Sequence, residues 1–155
     1  MAQTVQIVLV NPEIPQNTGS IARTCAATKT PLHLVGKLGF DISEKAVRRA
    51  GLDYWPWVPL QQHESYATYI ESIKPKRVFA LTKFATKPYY KVQFQDGDAL
   101  VFGSETKGLG KAFLDAVPAE FQLSIPMDEP NVRSLNLSNA VSIVLYEARR
   151  QFAQS

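Results

Sequence analysis

Three segments of the chain combine amide, hydroxyl and single charged side chains at spacings that could bind or act on a ligand. The first reads NPEIPQNTGSIAR and carries Asn17 and Arg23. An arginine can orient a phosphate or stabilise a developing negative charge, because its guanidinium normally stays protonated in proteins. The alternative is an ordinary capped helix with an arginine on its solvent face, since arginine is mostly exposed.

The second segment is a glycine-rich turn that reads FGSETKGLGK and contains Gly103, Glu105 and Gly108. Glycines let backbone amides come close to a ligand because they have no side chain. The turn is not a nucleotide-binding phosphate loop, since that motif requires Ser or Thr after its Gly-Lys pair and Ala112 stands there. Ser104 also lacks the flanking glycines of a nucleophile elbow.

The third segment reads IPM from Ile125 to Met127 and, after a short acidic loop, RSLNLSNA. Its hydroxyls and amides, among them Ser134 and Asn136, crowd the predicted start of the last helix. One or two of them suffice to cap that helix, so the surplus suggests a ligand. Capping side chains that face solvent are the alternative.

The elements that would position these segments are short strands alternating with helices. Strands are predicted at 6–10, 32–35, 77–81, 98–102 and 121–125, each bounded by turn-forming residues. The first helix is predicted to begin at a cap, Asn17 or Thr18, and others are predicted at 44–50, 64–73 and 136–152. Because the strands are apolar on both faces, the fold class is α/β, a parallel sheet with helices on both faces. Ligands of such sheets bind beyond the carboxyl ends of the strands, where the three segments lie.

Length and composition indicate one domain over residues 1–155. The apolar share of 45% and the charged share of 20% argue against disorder. No apolar stretch approaches the roughly 20 residues that cross a bilayer and no secretory signal is visible, so we expect a cytoplasmic protein without a membrane anchor. The net charge of +3 suits a polyanionic partner but does not establish one. Cys25, His33 and His63 have no ligand-like spacing, so no metal is expected.

Together and in order, the three segments resemble the SpoU/TrmD (SPOUT) superfamily of RNA methyltransferases. The patterns are N-P-x-I-P-x-N-x-G-x-x-x-R, then V-F-G-S-E-x-x-G-L, then I-P-M with R-S-L-N-L-S-N-A. The length and the E-A-x-R-Q ending are most similar to the minimal members, the tRNA 2′-O-methyltransferases that act on the wobble cytidine or uridine. The resemblance implies S-adenosylmethionine as cofactor and tRNA as substrate. The alternatives are 2′-O-methylation of another RNA such as rRNA, or a non-catalytic RNA-binding module of the same fold.

The resemblance also implies a C-terminal trefoil knot, a homodimer and a set of site residues. Arg23 takes the catalytic role and Asn17 is its supporting amide. Proton abstraction by Arg23 is one role proposed in the family, but a protonated guanidinium is better suited to orienting a phosphate and stabilising the 2′-alkoxide. The resemblance places three further side chains in the same pocket: Glu105, Ser134 and Asn136. Residues around the cofactor would be Leu81, Gly103, Gly108, Ile125, Met127, Ser134 and Leu135.

The last helix carries its own argument for assembly. One apolar stripe, from Leu137 to Phe152, is enough to seat the helix on the sheet. A second line on nearly the opposite side contains Asn139, Ile143, Tyr146 and Arg150, a composition typical of interface cores, although scattered exposed apolar residues are also normal. We therefore expect a homodimer packed on this face, with Tyr146 near the shared active site.

Four other features have a structural and a functional interpretation. Cys25 falls on the apolar face of its helix and is expected in the core. His33 and His63 are expected to carry no chemistry. The tryptophans at 55 and 57 could stack on bases or pack under a loop. A basic patch at 45, 48 and 49 is either a solvated helix face or a contact to RNA phosphates.

Overall fold

The computed structural model describes residues 2–43, 45, 49 and 54–154, and in this part the chain forms a six-stranded parallel sheet between helices. The strands are β1 (Gln6–Val10), β2 (Leu32–Val35), β3 (Leu60–His63), β4 (Val78–Leu81), β5 (Ala99–Phe102) and β6 (Gln122–Leu123). Their order across the sheet is β3-β2-β1-β5-β4-β6. The helices are α1 (Pro15–Thr28), α2 (Tyr66–Ile73), α3 (Lys111–Asp115) and α4 (Leu137–Ala153). The predicted α/β class is confirmed.

The central strands are buried on both faces because helices cover both sides of the sheet. Ile7 and Val8 point to opposite faces of β1, and each is 0% exposed. On one face Ile7 packs with Cys25 of α1 and Leu145 of α4. On the other face Val8 packs with Tyr69 of α2. The core position predicted for Cys25 is therefore confirmed.

The strand register brings four strands to an end at the same edge of the sheet. Leu81 of β4 pairs with Phe102 of β5 and with Leu123 of β6, and Phe102 also pairs with Leu9 of β1. All of these strands are parallel, so the loops that follow them leave from this carboxyl edge. The three sequence segments described above come after β1, β5 and β6, so each leaves the sheet at this edge.

Two strands differ from the sequence prediction. β3 was missed because it is an edge strand whose Gln61 and Gln62 are exposed, so it has no apolar run. The strand predicted at 121–125 is reduced to Gln122–Leu123, since Ala119–Phe121 before it forms a short 3-10 helix. The helix predicted at 44–50, with Ser43 as cap and Gly51 as stop, lies mostly outside the described residues. Of that range only Lys45 and Arg49 are described, and both are helical and exposed.

The first helix begins earlier than predicted. Neither Asn17 nor Thr18 is its cap: α1 starts at Pro15 after Ile14, and both polar residues are buried inside its first turn. Proline favours this position because its fixed φ suits the first helical residue and its missing N–H would have no partner there. The last helix agrees with the prediction, since it spans Leu137–Ala153 and buries Val141, Val144, Leu145 and Ala148.

Candidate active site

Glu105, in the loop after β5, caps the entrance to α1. Its carboxylate accepts the backbone N–H of Glu13 at 2.8 Å and that of Ile14 at 2.9 Å. Ile14 precedes the helix and has no polar side chain, so Glu105 supplies from a distant loop the acceptor that a local cap would supply. A carboxylate also interacts favourably with the positive end of the helix dipole.

Glu13 makes the reciprocal contact, and no motif in the sequence indicates this residue. Its carboxylate accepts the backbone N–H of Thr106 at 3.0 Å and the Thr106 hydroxyl at 2.7 Å. These two hydrogen bonds lower the pKa of Glu13, because both stabilise the charged form. Glu13 and Glu105 therefore bind the loops after β1 and β5 to each other from both sides.

Asn17 extends this contact to the last segment of the chain. Its amide donates to Glu105 Oε2 at 3.1 Å, and its side-chain oxygen accepts from the Asn136 amide at 3.0 Å. Asn17 is only 8% exposed, so both hydrogen bonds are partly shielded from water. We call the chain Glu105, Asn17, Asn136 the carboxylate-amide relay. It brings together one predicted site residue from each of the three segments.

Asn136 also caps α4. Its Oδ1 accepts the backbone N–H groups of Ser138 at 2.9 Å and Asn139 at 3.2 Å. The capping interpretation of the third segment is thus correct for this residue, while its amide is used by the relay. Asn136 therefore links the start of α4 to the first turn of α1.

Arg23 lies apart from the relay. It follows Asn17 by about one and two-thirds helical turns, so the two side chains leave α1 on different sides. Its Nη2 donates to the Tyr54 hydroxyl at 3.3 Å, and its guanidinium carbon lies 4.8 Å from the centre of that ring. Both side chains are exposed, so the charge of Arg23 is open to a partner. No motif or spacing indicates Tyr54 as a site residue.

The residues expected around the cofactor converge on the carboxyl edge. Leu81, Gly103 and Ile125 end or follow β4, β5 and β6, and all three are half-buried. Met127 is half-buried as well, whereas Ser134 and Leu135 are exposed, Leu135 at 38%. Half-buried apolar side chains beside strand ends fit an adenosine, which needs apolar contact for its ring and backbone groups for its polar edge.

Two of the three glycines in the second segment have different surroundings. A Cβ at Gly103 would collide with the backbone of Gly108 and Leu109, so the absence of a side chain there lets the loop fold closely on itself. Gly108 adopts a φ of +64°, which favours glycine, and the described residues leave open space beside it. The contacts of both glycines with the cofactor stay predictions.

Tyr146 and its neighbours on α4 present an exposed face. Tyr146 is 52% exposed and Ile143 36%, and Asn139 and Arg150 are exposed on the same side. Arg150 also pairs with Glu147 at 2.8 Å. An exposed aromatic, aliphatic and arginine group of this kind is the composition of an interface core.

Two general findings concern membranes and metals. In the residues described, no helix has the length and apolar composition needed to cross a bilayer. Across the same residues, no group of three or more His, Cys, Asp or Glu side chains is arranged to hold a metal ion.

Comparison with known proteins identifies relatives over nearly the whole chain. Residues 4–146 match the model of the SpoU rRNA methylase family. The tRNA (cytidine(34)-2′-O)-methyltransferase of Escherichia coli K12 is 50% identical over 147 residues, which cover 95% of this chain and 93% of that protein.

Solved structures show the same relationship. One, from work on 2-OH methylation of C/U34 on tRNA, superposes with a TM-score of 0.92 at 46% identity and covers 99% of both chains. Another, an AdoMet-bound rRNA methyltransferase from Sinorhizobium meliloti, has a TM-score of 0.83 at 25% identity and covers 97% of this chain and 57% of that one. The arrangement of strands and loops described above is therefore shared with methyltransferases.

Proposed function

The chain belongs to the SpoU rRNA methylase family, and on that premise we propose that it methylates the ribose 2′-oxygen of the wobble nucleotide, cytidine or uridine 34, of tRNA. The methyl donor is S-adenosylmethionine. The observation that carries the assignment is the 50% identity to the cytidine(34) enzyme across 95% of this chain. The relay supports it, because it joins all three segments at the carboxyl edge of the sheet.

The reaction forms a bond between the ribose 2′-oxygen and the methyl carbon and breaks the bond between that carbon and sulfur. The bound cofactor supplies a methyl group on a sulfonium, which is an electrophile without any metal. The 2′-hydroxyl gives its proton to water and the sulfur keeps the electron pair of the broken bond, while the two reacting atoms must be aligned for in-line displacement. The task of the protein is therefore alignment and stabilisation of the developing negative charge.

Arg23 is the residue to which we assign stabilisation of the developing negative charge. Its guanidinium is exposed on α1 and normally stays protonated, so it can hold a phosphate beside the acceptor ribose and stabilise the 2′-alkoxide. Its hydrogen bond to Tyr54 limits the positions that the guanidinium can adopt. Proton abstraction would require a neutral guanidine, which is why we favour the electrostatic role.

The relay positions the parts that do the chemistry. Glu105 has three hydrogen-bond donors on its carboxylate, two from the entrance to α1 and one from Asn17, so it serves as a fixed acceptor. We propose that it holds the helix that carries Arg23 against the cofactor edge. The proposed cofactor contacts come from residues at that edge and at the start of α4: Leu81, Gly103, Gly108, Ile125, Met127, Ser134 and Leu135.

We further propose the assembly that the family resemblance implies. The chain is one domain over 1–155 that works as a cytoplasmic homodimer, its C-terminal segment threaded as a trefoil knot. The exposed face of α4 supports the dimer, because Ile143 and Tyr146 would be covered there. Tyr146 and the exposed Ser134 and Leu135 would then lie where two subunits meet.

Methyl transfer to defined transcripts tests the function. The purified protein with methyl-labelled S-adenosylmethionine should label tRNA transcripts with cytidine or uridine at the wobble position, and nucleoside mapping should place the label on that ribose. Matched transcripts that already carry a 2′-O-methyl group there should accept none. Equal labelling of the two sets, or labelling of rRNA fragments in preference to tRNA, would contradict the assignment.

A further inference from the structure

We propose that residues 83–91, the lysine-aromatic segment, form a docking surface for single-stranded RNA beside the site, an inference that rests on the proposed function. Phe84 is the anchor of this surface. Its side chain is 75% exposed, although a phenylalanine is ordinarily buried. Its ring therefore presents an open aromatic face near the carboxyl edge where the site lies.

The charge of the segment indicates what that partner is. Lysines stand at 83, 87 and 91, and the sequence has no Asp or Glu from 82 to 95. The Lys83 ammonium lies 5.4 Å from the centre of the Phe84 ring. A flat aromatic face with cations around it matches an unpaired base and its phosphates, since any base can stack on a ring and any phosphate can pair with a lysine.

Backbone hydrogen bonds hold the segment in place. Thr82 donates its N–H to the Leu123 carbonyl at 2.8 Å, and Ser124 donates to the Lys87 carbonyl at 2.9 Å. Within the turn, the Phe84 N–H donates to the Thr82 hydroxyl at 3.2 Å. The exposure of Phe84 is therefore set by a turn fixed at both ends. Thr82 directly follows Leu81 and Ser124 directly precedes Ile125, two of the proposed cofactor contacts.

An open groove continues from this surface. It has a volume of about 490 Å³ and is bordered by Lys87 and Lys91, with Arg77 farther along. Among the residues that the structure describes, Glu120 is the single carboxylate in its wall. Arg77 is paired with Asp98 at 2.6 Å, so the two lysines carry most of the free positive charge. Such a groove suits a phosphate backbone that leaves the stacked base.

Single-stranded RNA is the occupant that fits the segment best. A duplex keeps its bases stacked and paired, and side chains then reach mainly its backbone and minor groove. The wobble nucleotide lies in an unpaired loop, so a base next to it can turn out and stack on Phe84. A second copy of this chain could instead cover an exposed ring. Lysine is depleted in the cores of protein interfaces, however, and this segment has three lysines without acidic neighbours.

Binding of an anticodon stem-loop RNA with an unmethylated wobble ribose tests the proposal. Phe84→Leu keeps an apolar side chain but removes the stacking face, and we expect the Kd to rise at least about fivefold. Phe84→Trp should bind about as tightly as the unchanged protein. Lys83→Gln with Lys87→Gln should reduce the slope of log K against log salt by about 0.7 per lysine. Lys76→Gln, exposed at the opposite edge of the sheet, is the matched control and should change little.

Affinity for S-adenosylmethionine and sedimentation of each variant complete the test, and both should be unchanged. Unaltered RNA affinity of Phe84→Leu with an unaltered salt slope of the double lysine variant would overturn the proposal. So would a loss of RNA affinity matched by dissociation of the assembled protein, since the surface would then be an interface between copies. If the unchanged protein neither binds nor methylates the RNA, the proposed function fails instead.

Discussion

Asn136 donates a hydrogen bond of 3.0 Å to the side-chain oxygen of Asn17, although 119 positions separate the two residues in the chain. Through Asn17 the same contact reaches Glu105. The starts of two helices and one loop are thus fixed to each other by the buried Asn17, the half-buried Glu105 and the exposed Asn136. Substitutions of these residues can separate a positioning role from a role in the chemistry.

Asn17→Ala should destabilise the fold by about 1–3 kcal/mol, because Asn136 and Glu105 each lose a shielded hydrogen-bond partner. Asn17→Asp should be at least as harmful, since it sets a second carboxylate against Glu105. Urea unfolding measures both effects. The control Asn131→Ala removes an exposed local contact to Glu129 and should cost less than about 0.5 kcal/mol. Equal effects of the two alanine variants would contradict the relay.

Glu105→Gln should loosen the entrance to α1. A glutamine keeps one acceptor oxygen but turns an NH₂ group toward the N–H of Glu13 or Ile14, which cannot accept it. Hydrogen exchange of these two backbone amides should accelerate, and methyl transfer should fall with it. Glu71→Gln, exposed on α2 and outside both the site and the groove, is the control. Lost transfer with unchanged amide protection would instead assign Glu105 to the chemistry.

Arg23→Ala should largely abolish methyl transfer while S-adenosylmethionine binds with nearly unchanged affinity, because Arg23 faces solvent and Tyr54 rather than the cofactor edge. Single-turnover rates and calorimetry measure the two properties. Lys74→Ala removes an exposed cation directly after α2, on the other face of the sheet, and is the control. A parallel loss of cofactor affinity in Arg23→Ala would show that the residue serves cofactor binding.

Ile143→Asp should weaken the proposed homodimer, since it would bury an unpaired charge in the contact. Sedimentation should show a larger monomer fraction, with activity reduced in proportion. Ala67→Asp introduces the same charge at an exposed position of α2, on the other face of the sheet, and should leave both properties unchanged. A fully active monomer would contradict the shared site.

Stability should decrease as the pH falls below about 6.5, because of a buried histidine pair. His33 Nδ1 lies 2.9 Å from His63 Nε2, and burial, followed by the neighbouring His63, lowers the pKa of His33 to about 4. Below about pH 6.5 the unfolded chain therefore binds a proton that the folded chain does not bind. The free energy of unfolding then falls by up to about 1.4 kcal/mol per pH unit. Urea unfolding at about pH 7.5 and 5.5 should show a smaller loss for His33→Gln than for the unchanged protein. An equal loss of stability in His33→Gln and the unchanged protein would show that groups other than His33 cause the pH dependence.

The pattern of apolar strands was enough to predict the α/β class, five of the six described strands and the extent of α4. It missed β3, because an edge strand with two exposed glutamines has no periodic apolar signal. It also misplaced the start of α1, since the group that caps this helix is Glu105, more than 90 residues away. A local cap can be found by local spacing, whereas a cap supplied by another loop is visible only in three dimensions.

The site was predicted as a set of residues but not as a geometry. Motif resemblance selected Asn17, Glu105 and Asn136, which the structure joins by direct hydrogen bonds. It could not indicate Glu13 or Tyr54, because an isolated glutamate or tyrosine carries no recognisable spacing.

The place of β5 between β1 and β4 has a consequence for how the chain reaches this structure. β1 has its second neighbour only after residues 99–102 exist, so roughly the first two thirds of the polypeptide cannot complete the sheet. Such long-range pairing raises the contact order, which slows folding. During synthesis, one side of β1 would stay without its hydrogen-bonding partner until β5 had been made. The site could assemble only after α4 had left the ribosome. A truncated chain would therefore be prone to aggregate before it could bind either substrate.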